Sequence, residues 1–181
     1  EVTLYEKRSI GGVLKEATVS DSKEDLGRLI TYYETQLKKN GIDVVFEEAN
    51  VDTIVKGGYD VAILATGAKV KGLDSKEAIY AMDFLDQGAK TDAQNIVVVG
   101  GGIVGAETAL ILAEEQGKNV TITTRSPEFF VSGVMGIAYM TRLAMAGVKN
   151  CPKMQLIAIE DGKPVFVGPR GIETMDVDQV I

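Results

Sequence analysis

One segment constrains the fold of this chain more than any other: an apolar strand that enters a glycine-rich turn and then a helix. Residues 96–99 are apolar, and Gly100, Gly101, Gly102 and Gly105 follow them. Gly-x-Gly-x-x-Gly between a strand and a helix is typical of a dinucleotide-binding βαβ unit. There Gly100 permits the tight turn, Gly102 leaves room for a pyrophosphate, and Gly105 lets helix and strand pack closely. The alternative is a glycine-rich turn that binds nothing.

The residues that end the next predicted strand, 120–124, bear on which dinucleotide is bound. An Asp or Glu in this place would hydrogen-bond the ribose hydroxyls of NAD. Here the sequence has Thr124, Arg125 and Ser126. Without a carboxylate nothing repels a 2′-phosphate, and Arg125 can pair with one through charge-assisted hydrogen bonds. The pattern favours NADPH over NADH, the alternative being that Arg125 is a solvated surface charge and discrimination is poor.

The composition excludes most forms of catalysis by the protein's own side chains. None of the 181 residues is His and one is Cys, which rules out Ser-His-Asp or Cys-His chemistry, His-ligated zinc, a CxxC pair and an iron–sulfur cluster held by this chain alone. We therefore predict no catalytic and no metal-ligating residue, and expect the chemistry to come from a cofactor.

Charge and hydropathy limit the partners and the location. A net charge of −7 argues against binding to nucleic acid or to an anionic membrane. No apolar run approaches the roughly 20 residues of a membrane-spanning helix. With a single unpaired cysteine and no secretory signal, the sequence predicts a cytoplasmic protein.

Hydrophobic periodicity predicts an α/β protein in two parts that divide near residue 93. The predicted elements are strands at 2–5, 42–46 and 60–65, helices at 22–41 and 81–86, then strand 96–99, helix 106–115, strand 120–124, helix 136–146 and a β-meander of strands 156–159, 164–167 and 172–177. Ser22 and Gly41 are the expected caps of the long helix. The continuous apolar run 60–65 predicts a strand covered on both faces.

Three segments together resemble the two-dinucleotide-binding flavoprotein reductases. They are residues 2–7 with Gly11-Gly12, the run 60–68 that contains Ala65-Thr66-Gly67-Ala68, and the strand–turn–helix 96–107. The helix with Tyr32-Tyr33, at its spacing from Gly12, is most similar to one branch. That branch is the C-terminal FAD/NAD(P)H region of the NADH:flavin oxidoreductases related to 2,4-dienoyl-CoA reductase and trimethylamine dehydrogenase.

The resemblance implies a Rossmann-like FAD/NAD(P)-binding fold, with a parallel sheet flanked by helices and a β-meander near the C-terminus. It implies that residues 1–93 are a partial FAD-binding domain and residues 94–181 an NAD(P)H-binding domain. The residues that it places near FAD are Glu6 at the adenosine ribose, Lys7 beside it, Gly11 and Gly12 against the cofactor, and Thr66 and Gly67 at the crossing between domains. The residues that it places near NAD(P)H are Gly100, Gly101, Gly102 and Gly105 at the pyrophosphate, Glu107 on the first helical turn toward the nicotinamide, and Thr124, Arg125 and Ser126 at the adenosine 2′ position.

The same resemblance implies a longer parent protein, because the family's first strand and FAD glycine loop have no counterpart in residues 1–181. In such a parent, hydride from NAD(P)H passes to FAD, and electrons pass through an iron–sulfur cluster to FMN in a barrel domain that reduces an enoyl or enone substrate. The chain alone is then expected to be inactive, and exposed apolar surface predicts self-association.

Two other functions stay open at this stage. One is a non-catalytic ADP-holding or electron-transfer module of the trimethylamine dehydrogenase type. The other is a stand-alone NAD(P)-dependent dehydrogenase, which lacks a catalytic His or Tyr-Lys pair here. Binding of NADPH separates the first of these from the reductase.

Overall fold

The computed structural model describes residues 1–68, 72, 75–129 and 133–181. The chain forms two compact units, Glu1–Val70 and Lys71–Ile181. Residues 75–93, which lie before the division expected near residue 93, therefore pack within the second unit. The assignment of the two parts to FAD and to NAD(P)H stays a prediction.

The described part of the first unit combines a small parallel sheet with short helices. Its elements are β1 (Thr3–Tyr5), α1 (Leu14–Ala17), a 3-10 turn (Asp21–Lys23), α2 (Leu26–Lys39), β2 (Asp43–Val45) and α3 (Val51–Gly57). Strands β1 and β2 pair in parallel with Leu4 opposite Val44. The two strands predicted at 2–5 and 42–46 are confirmed.

The long helix of this unit begins later than its sequence pattern indicates. Ser22 was the expected N-cap, and this prediction is wrong. The side chain of Ser20 instead accepts a hydrogen bond from the Ser22 backbone N–H and caps the 3-10 turn. Because that turn comes first, the α-helix starts at Leu26. Gly41, with φ +63°, follows its end as predicted.

The apolar run at 60–65 is not a strand, so this prediction is wrong. Residues 61–68 have no regular secondary structure, and the side chains of Val61, Ile63 and Leu64 are 77%, 88% and 86% exposed. A strand exists only where a neighbour pairs with its backbone. Neither β1 nor β2, the strands described in this unit, pairs with the run.

The second unit contains the main sheet and the meander. Its elements are α4 (Ala81–Asp86), β3 (Asn95–Val99), α5 (Ile103–Leu110) with a π-helical turn (Ile111–Glu115), β4 (Asn119–Thr124), α6 (Gly133–Met145), β5 (Lys149–Pro152), β6 (Gln155–Glu160), β7 (Lys163–Gly168), β8 (Gly171–Thr174) and β9 (Gln179–Val180). The order β5-β4-β3-β9 is parallel throughout, and β6-β7-β8 is antiparallel. An α/β fold with a parallel sheet and a C-terminal meander is thereby confirmed.

The core of this unit lies where α5 packs on the centre of the parallel sheet. Ile96, Val97 and Val98 of β3 are buried, as a strand with both faces covered requires. Ala109 and Leu110 of α5 are buried as well. Helix α5 contacts β3 and β4 and also α4 and α6. The glycine turn therefore joins two elements with buried faces, β3 and α5.

Asp178 fixes the last strand of this sheet to the first. Its Oδ2 accepts hydrogen bonds from the backbone N–H of Gln94 at 3.0 Å, from that of Asn95 at 2.7 Å and from Asn95 Nδ2 at 3.2 Å. The backbone N–H groups of Asn95 and Gln94 hold the pKa of Asp178 below its usual value. The carboxylate therefore holds β9 in register beside β3.

We predict that Asp178→Ala lowers the melting temperature and that the loss depends on pH. A carboxyl group whose pKa is lowered by folding stabilises the protein above its unfolded pKa, and this contribution is lost as pH falls through the folded pKa. The difference in melting temperature between wild type and variant should be largest near pH 7 and shrink toward pH 3. Asp92→Ala, at an exposed acid in the segment that leads into β3, is the matched control. An equal loss at pH 3 and pH 7 would contradict this role.

Candidate functional site

The glycine turn lies between β3 and α5 at the carboxyl edge of the parallel sheet. Gly100 has φ +132°, a conformation that favours glycine, and its N–H donates to the Thr123 carbonyl at 2.9 Å. Gly102 is extended and precedes the helix, and none of the side chains that the structure describes caps α5 there. The first N–H groups of α5 are thus available to an anion at the positive end of the helix dipole.

Two of the glycines are distinguished by the space around them. A Cβ at Gly105 would overlap the Gly100 carbonyl oxygen and lie 3.1 Å from its carbonyl carbon, so helix and turn touch at this point. Among the described residues, a Cβ at Gly102 would meet no atom within 4 Å, so the space in front of the helix is open there. The turn therefore fits a pyrophosphate, because the space beside Gly102 is free where the backbone must approach one.

Gly101 faces the interior of the turn. A Cβ there would lie 2.5 Å from Phe129 Cδ1 and 2.9 Å from Thr124 Cβ. Glycine is required here because these two side chains leave no room for a Cβ. The sequence pattern grouped Gly101 with the glycines that hold the pyrophosphate.

We predict that Gly105→Ala destabilises the chain by about 1–3 kcal/mol, because the new methyl group must separate α5 from the backbone at Gly100. Gly27→Ala in α2 is the matched control, since a Cβ at Gly27 meets nothing within 4 Å. That exchange is expected to stabilise by about 0.5–1 kcal/mol through helix propensity. Urea unfolding measures both free energies. Equal effects of the two exchanges would show that α5 does not depend on this contact.

Of the residues expected at the adenosine 2′ position, Thr124 ends β4 and Arg125 and Ser126 follow it, and they differ in exposure. Thr124 is buried, and its Oγ1 accepts a hydrogen bond from the Ser126 N–H at 3.3 Å. Arg125 is exposed. It makes no ion pair with any residue in the described ranges. Thr124 shapes the turn, and Arg125 is the group that is free to contact a phosphate.

Glu107 lies on α5 with its carboxylate held by a tyrosine. The helix starts at Ile103, so Glu107 is its fifth residue and stands in the second turn, not the first. The hydroxyl of Tyr139 on α6 donates a short hydrogen bond to Glu107 Oε1. Burial and the Glu107 carboxylate raise the pKa of Tyr139 to about 12. Tyr139 is therefore a protonated donor at neutral pH and fixes the direction of the Glu107 carboxylate.

In the first unit, Glu6 follows β1 and is oriented by the next turn of backbone. Its Oε1 accepts a hydrogen bond from the Arg8 N–H at 2.8 Å. Lys7 Nζ lies 3.3 Å from Glu48 Oε1 in an exposed ion pair, which contributes little to stability. Glu6 Oε2 has no hydrogen-bond partner in the part of the chain that the structure describes, so it can serve a second partner.

Gly11 and Gly12 form the turn that leads into α1. Their φ angles are +110° and +50°. The carbonyl of Gly11 accepts from the Leu14 N–H at 3.0 Å, and a Cβ at Gly11 would lie 3.0 Å from the Ile30 side chain. Glycine is required at Gly11 both for the backbone angle and for the close approach to α2.

Thr66 and Gly67 lie in the irregular segment 61–68, where both are exposed. Gly67 has φ +74°. The structure gives neither residue a regular element, so their predicted place beside FAD stays a prediction.

The sequence pattern did not reveal one ion pair on the two sides of the Gly11-Gly12 turn. Arg8 Nη1 donates to Glu16 Oε1 at 2.6 Å, and Glu16 is 5% exposed. Burial by itself raises the pKa of Glu16. The hydrogen bond from Arg8 and a backbone hydrogen bond outweigh this effect, so the pKa of Glu16 is below its usual value. The pair ties α1 to the residues that follow β1. No sequence signal marked it, because α1 has four residues and no detectable period.

Neither a metal site nor a membrane span is evident in the described ranges. Across those residues, His, Cys, Asp and Glu do not gather in groups of three or more that could hold a metal ion. None of the described helices combines the length and the apolar character needed to cross a membrane.

Comparison with protein families gives a match over nearly the whole chain. The model of a family described as pyridine nucleotide-disulphide oxidoreductase matches residues 3–181. This range contains the glycine turn, the strand ends and the Gly11-Gly12 turn.

Curated proteins with similar sequences are much longer than this chain. Cinnamate reductase from Clostridium sporogenes is 35% identical over 126 residues, which are 67% of this chain and 19% of that protein. NADH oxidase from Thermoanaerobacter brockii is 36% identical over 132 residues, which are 67% of this chain and 20% of that protein. The chain thus spans about a fifth of the length of these relatives.

Solved structures reproduce the fold. A 2-naphthoyl-CoA reductase in complex with 2-naphthoyl-CoA has a TM-score of 0.83 and 30% identity, covering 99% of this chain and 28% of the other. Histamine dehydrogenase from Rhizobium sp. 4-9 has a TM-score of 0.77 and 18% identity, covering 99% and 31%. The second likeness shows the fold alone. Together with the family match, they confirm the Rossmann-like FAD/NAD(P)-binding fold.

Proposed function

We propose that this chain, which belongs to the pyridine nucleotide-disulphide oxidoreductase family, carries the nucleotide-binding segments of a longer flavin-dependent NAD(P)H oxidoreductase. The observation that carries the proposal is the glycine turn before α5. Its backbone is tight at Gly105 and open at Gly102, and the helix behind it lacks a side-chain cap. This combination suits a bound pyrophosphate.

In this proposal each element at the sheet edge contacts one part of NAD(P)H. Gly100, Gly101 and Gly102 and the first N–H groups of α5 hold the pyrophosphate. Arg125 contacts the adenosine 2′ position, with Thr124 and Ser126 shaping its turn. Glu107, fixed by Tyr139, orients the nicotinamide end. The task of these residues is to position a hydride donor.

We assign the residues at the end of β1 and in the following turn to FAD. When bound, FAD accepts a hydride from NAD(P)H and passes electrons on singly or in pairs. Glu6 offers Oε2 to a ribose hydroxyl while the Arg8 N–H holds Oε1. Lys7 lies beside it, Gly11 and Gly12 let the backbone approach the cofactor, and Thr66 and Gly67 lie at the crossing to the second part.

The rest of the parent supplies the substrate site. Two relatives are named for the reduction of cinnamate and of 2-naphthoyl-CoA, and the chain covers 19% and 28% of them. We infer that the parent of this chain reduces an enoyl or enone type of substrate at an FMN in a barrel domain, with an iron–sulfur cluster between the flavins. The 181 residues alone are then inactive.

The exposed apolar side chains of the first unit fit an origin in a longer protein. Val51, Val55, Ile63 and Leu64 are each at least 73% exposed. We propose that the remainder of the parent covers them, and that the isolated chain self-associates through them.

Isothermal titration calorimetry with NADPH and NADH at the same salt concentration tests the proposal. We expect both to bind, with NADPH several-fold tighter. Gly102→Ala should weaken both dinucleotides by about tenfold or more, because its methyl group fills the space in front of the helix without touching the protein. Arg125→Ala should weaken NADPH about tenfold and leave NADH unchanged.

The same titration is carried out on a control variant, and its results can contradict the proposal. Gly27→Ala, remote from the turn in sequence and equally open at its Cβ, should leave both affinities unchanged. Absence of binding for both dinucleotides would contradict the proposal. Binding of ADP without discrimination for NADPH or NADH would support the alternative of an ADP-holding module.

A further inference from the structure

Three adjacent parallel strands bring three features to one edge of the main sheet. Strand β3 ends at the glycine turn, β4 ends before Arg125, and β5 ends before Lys153. Thr124 pairs with Pro152, so Arg125 and Lys153 are the next residues on neighbouring strands. Strands lie about 4.8 Å apart, which places Lys153 about two strand spacings from the glycine turn.

Backbone hydrogen bonds fix the position of Lys153 beside the end of β4. Its N–H donates to the Ser126 carbonyl at 3.0 Å, and the next N–H, of Met154, donates to the Thr124 carbonyl at 2.8 Å. The segments that follow β4 and β5 therefore stay hydrogen-bonded beyond the last regular pair of the sheet.

Lys153 is held in an unfavourable backbone conformation. Its φ is +58°, in the left-handed region that residues with a Cβ rarely adopt. Met154, which follows it, is buried and anchors the turn. Strain of this kind persists where the surrounding structure imposes it and is concentrated at binding sites.

The lysine lines a pocket of about 560 Å³ together with Pro127, Cys151 and Arg170. Arg170 is paired with Glu173. Lys153, like Arg125, takes part in no ion pair among the residues for which the structure gives positions. In a chain with 26 acidic and 19 basic residues, two cations on adjacent strand ends that pair with no described acid favour the binding of an anion there.

We propose that Lys153 is a specificity-determining residue for NADPH, and that its ammonium group and Arg125 together bind the adenosine 2′-phosphate beside this pocket. The inference rests on the proposed function. The order of features along the edge is the order of groups in the ligand: pyrophosphate at the turn after β3, ribose at the end of β4, and 2′-phosphate between the ends of β4 and β5. A phosphate that carries nearly two charges is held better by two cations than by Arg125 alone.

The test compares three variants, two at Lys153, which follows β5, and one at Lys149, which begins it. Lys153→Met keeps the length of the side chain and removes its charge, and Lys153→Arg keeps the charge. Lys149→Met is the matched control, because Lys149 is an exposed lysine at the opposite end of the same strand. Calorimetry measures the dissociation constants of NADPH, NADH, 2′,5′-ADP and 5′-ADP for each.

We expect Lys153→Met to weaken NADPH and 2′,5′-ADP about tenfold and to change NADH and 5′-ADP by less than about twofold. Lys153→Arg and Lys149→Met should stay close to wild type. Raised salt should reduce the preference for NADPH in wild type more than in Lys153→Met.

The single cysteine gives a second readout in the same pocket. Cys151 is half-buried and lines the pocket with Lys153. In wild type, adding 2′,5′-ADP should slow the alkylation of Cys151 by iodoacetamide. The same concentration of 2′,5′-ADP should give little protection in Lys153→Met.

The outcomes separate this inference from the proposed function. If wild type binds NADH and NADPH but Lys153→Met changes neither, or weakens both equally, the inference on Lys153 is overturned and the dinucleotide site stands. If wild type binds neither dinucleotide, the proposed function is overturned and this inference falls with it.

Discussion

The contact between α5 and the turn after β3 is the constraint on which the rest of the site depends. Because Gly105 has no side chain, the helix approaches the Gly100 carbonyl closely enough that a single Cβ would overlap it. This approach places the uncapped start of α5 directly at the carboxyl edge of the sheet. The open space beside Gly102 follows from the same geometry, since the chain must turn sharply to enter the helix.

The parallel order β5-β4-β3 then places Arg125 and Lys153 at the same edge of the sheet. Parallel strands present their carboxyl ends at one edge, so the glycine turn, Arg125 and Lys153 lie side by side. Tyr139 contributes from the helix that packs on α5, where its protonated hydroxyl orients Glu107. In the proposed function, the chain contributes contacts and orientation, and the redox chemistry belongs to the bound nucleotides.

Much of this architecture is visible in the sequence because its signals are local. The buried strand, the glycine turn and the meander turns each depend on neighbouring residues, and the structure confirms them. Predictions failed where a distant partner decides the outcome. The run at 60–65 needs a neighbouring strand. The cap at Ser22 failed for a local reason instead, because Ser20 caps a 3-10 turn that comes before the helix. The strained backbone of Lys153 depends on the register between β4 and β5, which no sequence pattern shows.

The most direct measurement of the central claim is a ¹⁵N–¹H chemical-shift map of the 181-residue chain titrated with NADP⁺. We expect the largest shifts at the amides of 100–106, 124–126 and 153–154, which lie at the ends of three adjacent strands. Shifts in the meander and at residues 26–39 should be small. Shifts confined to the first unit, or spread evenly over both units, would contradict a dinucleotide site at this sheet edge.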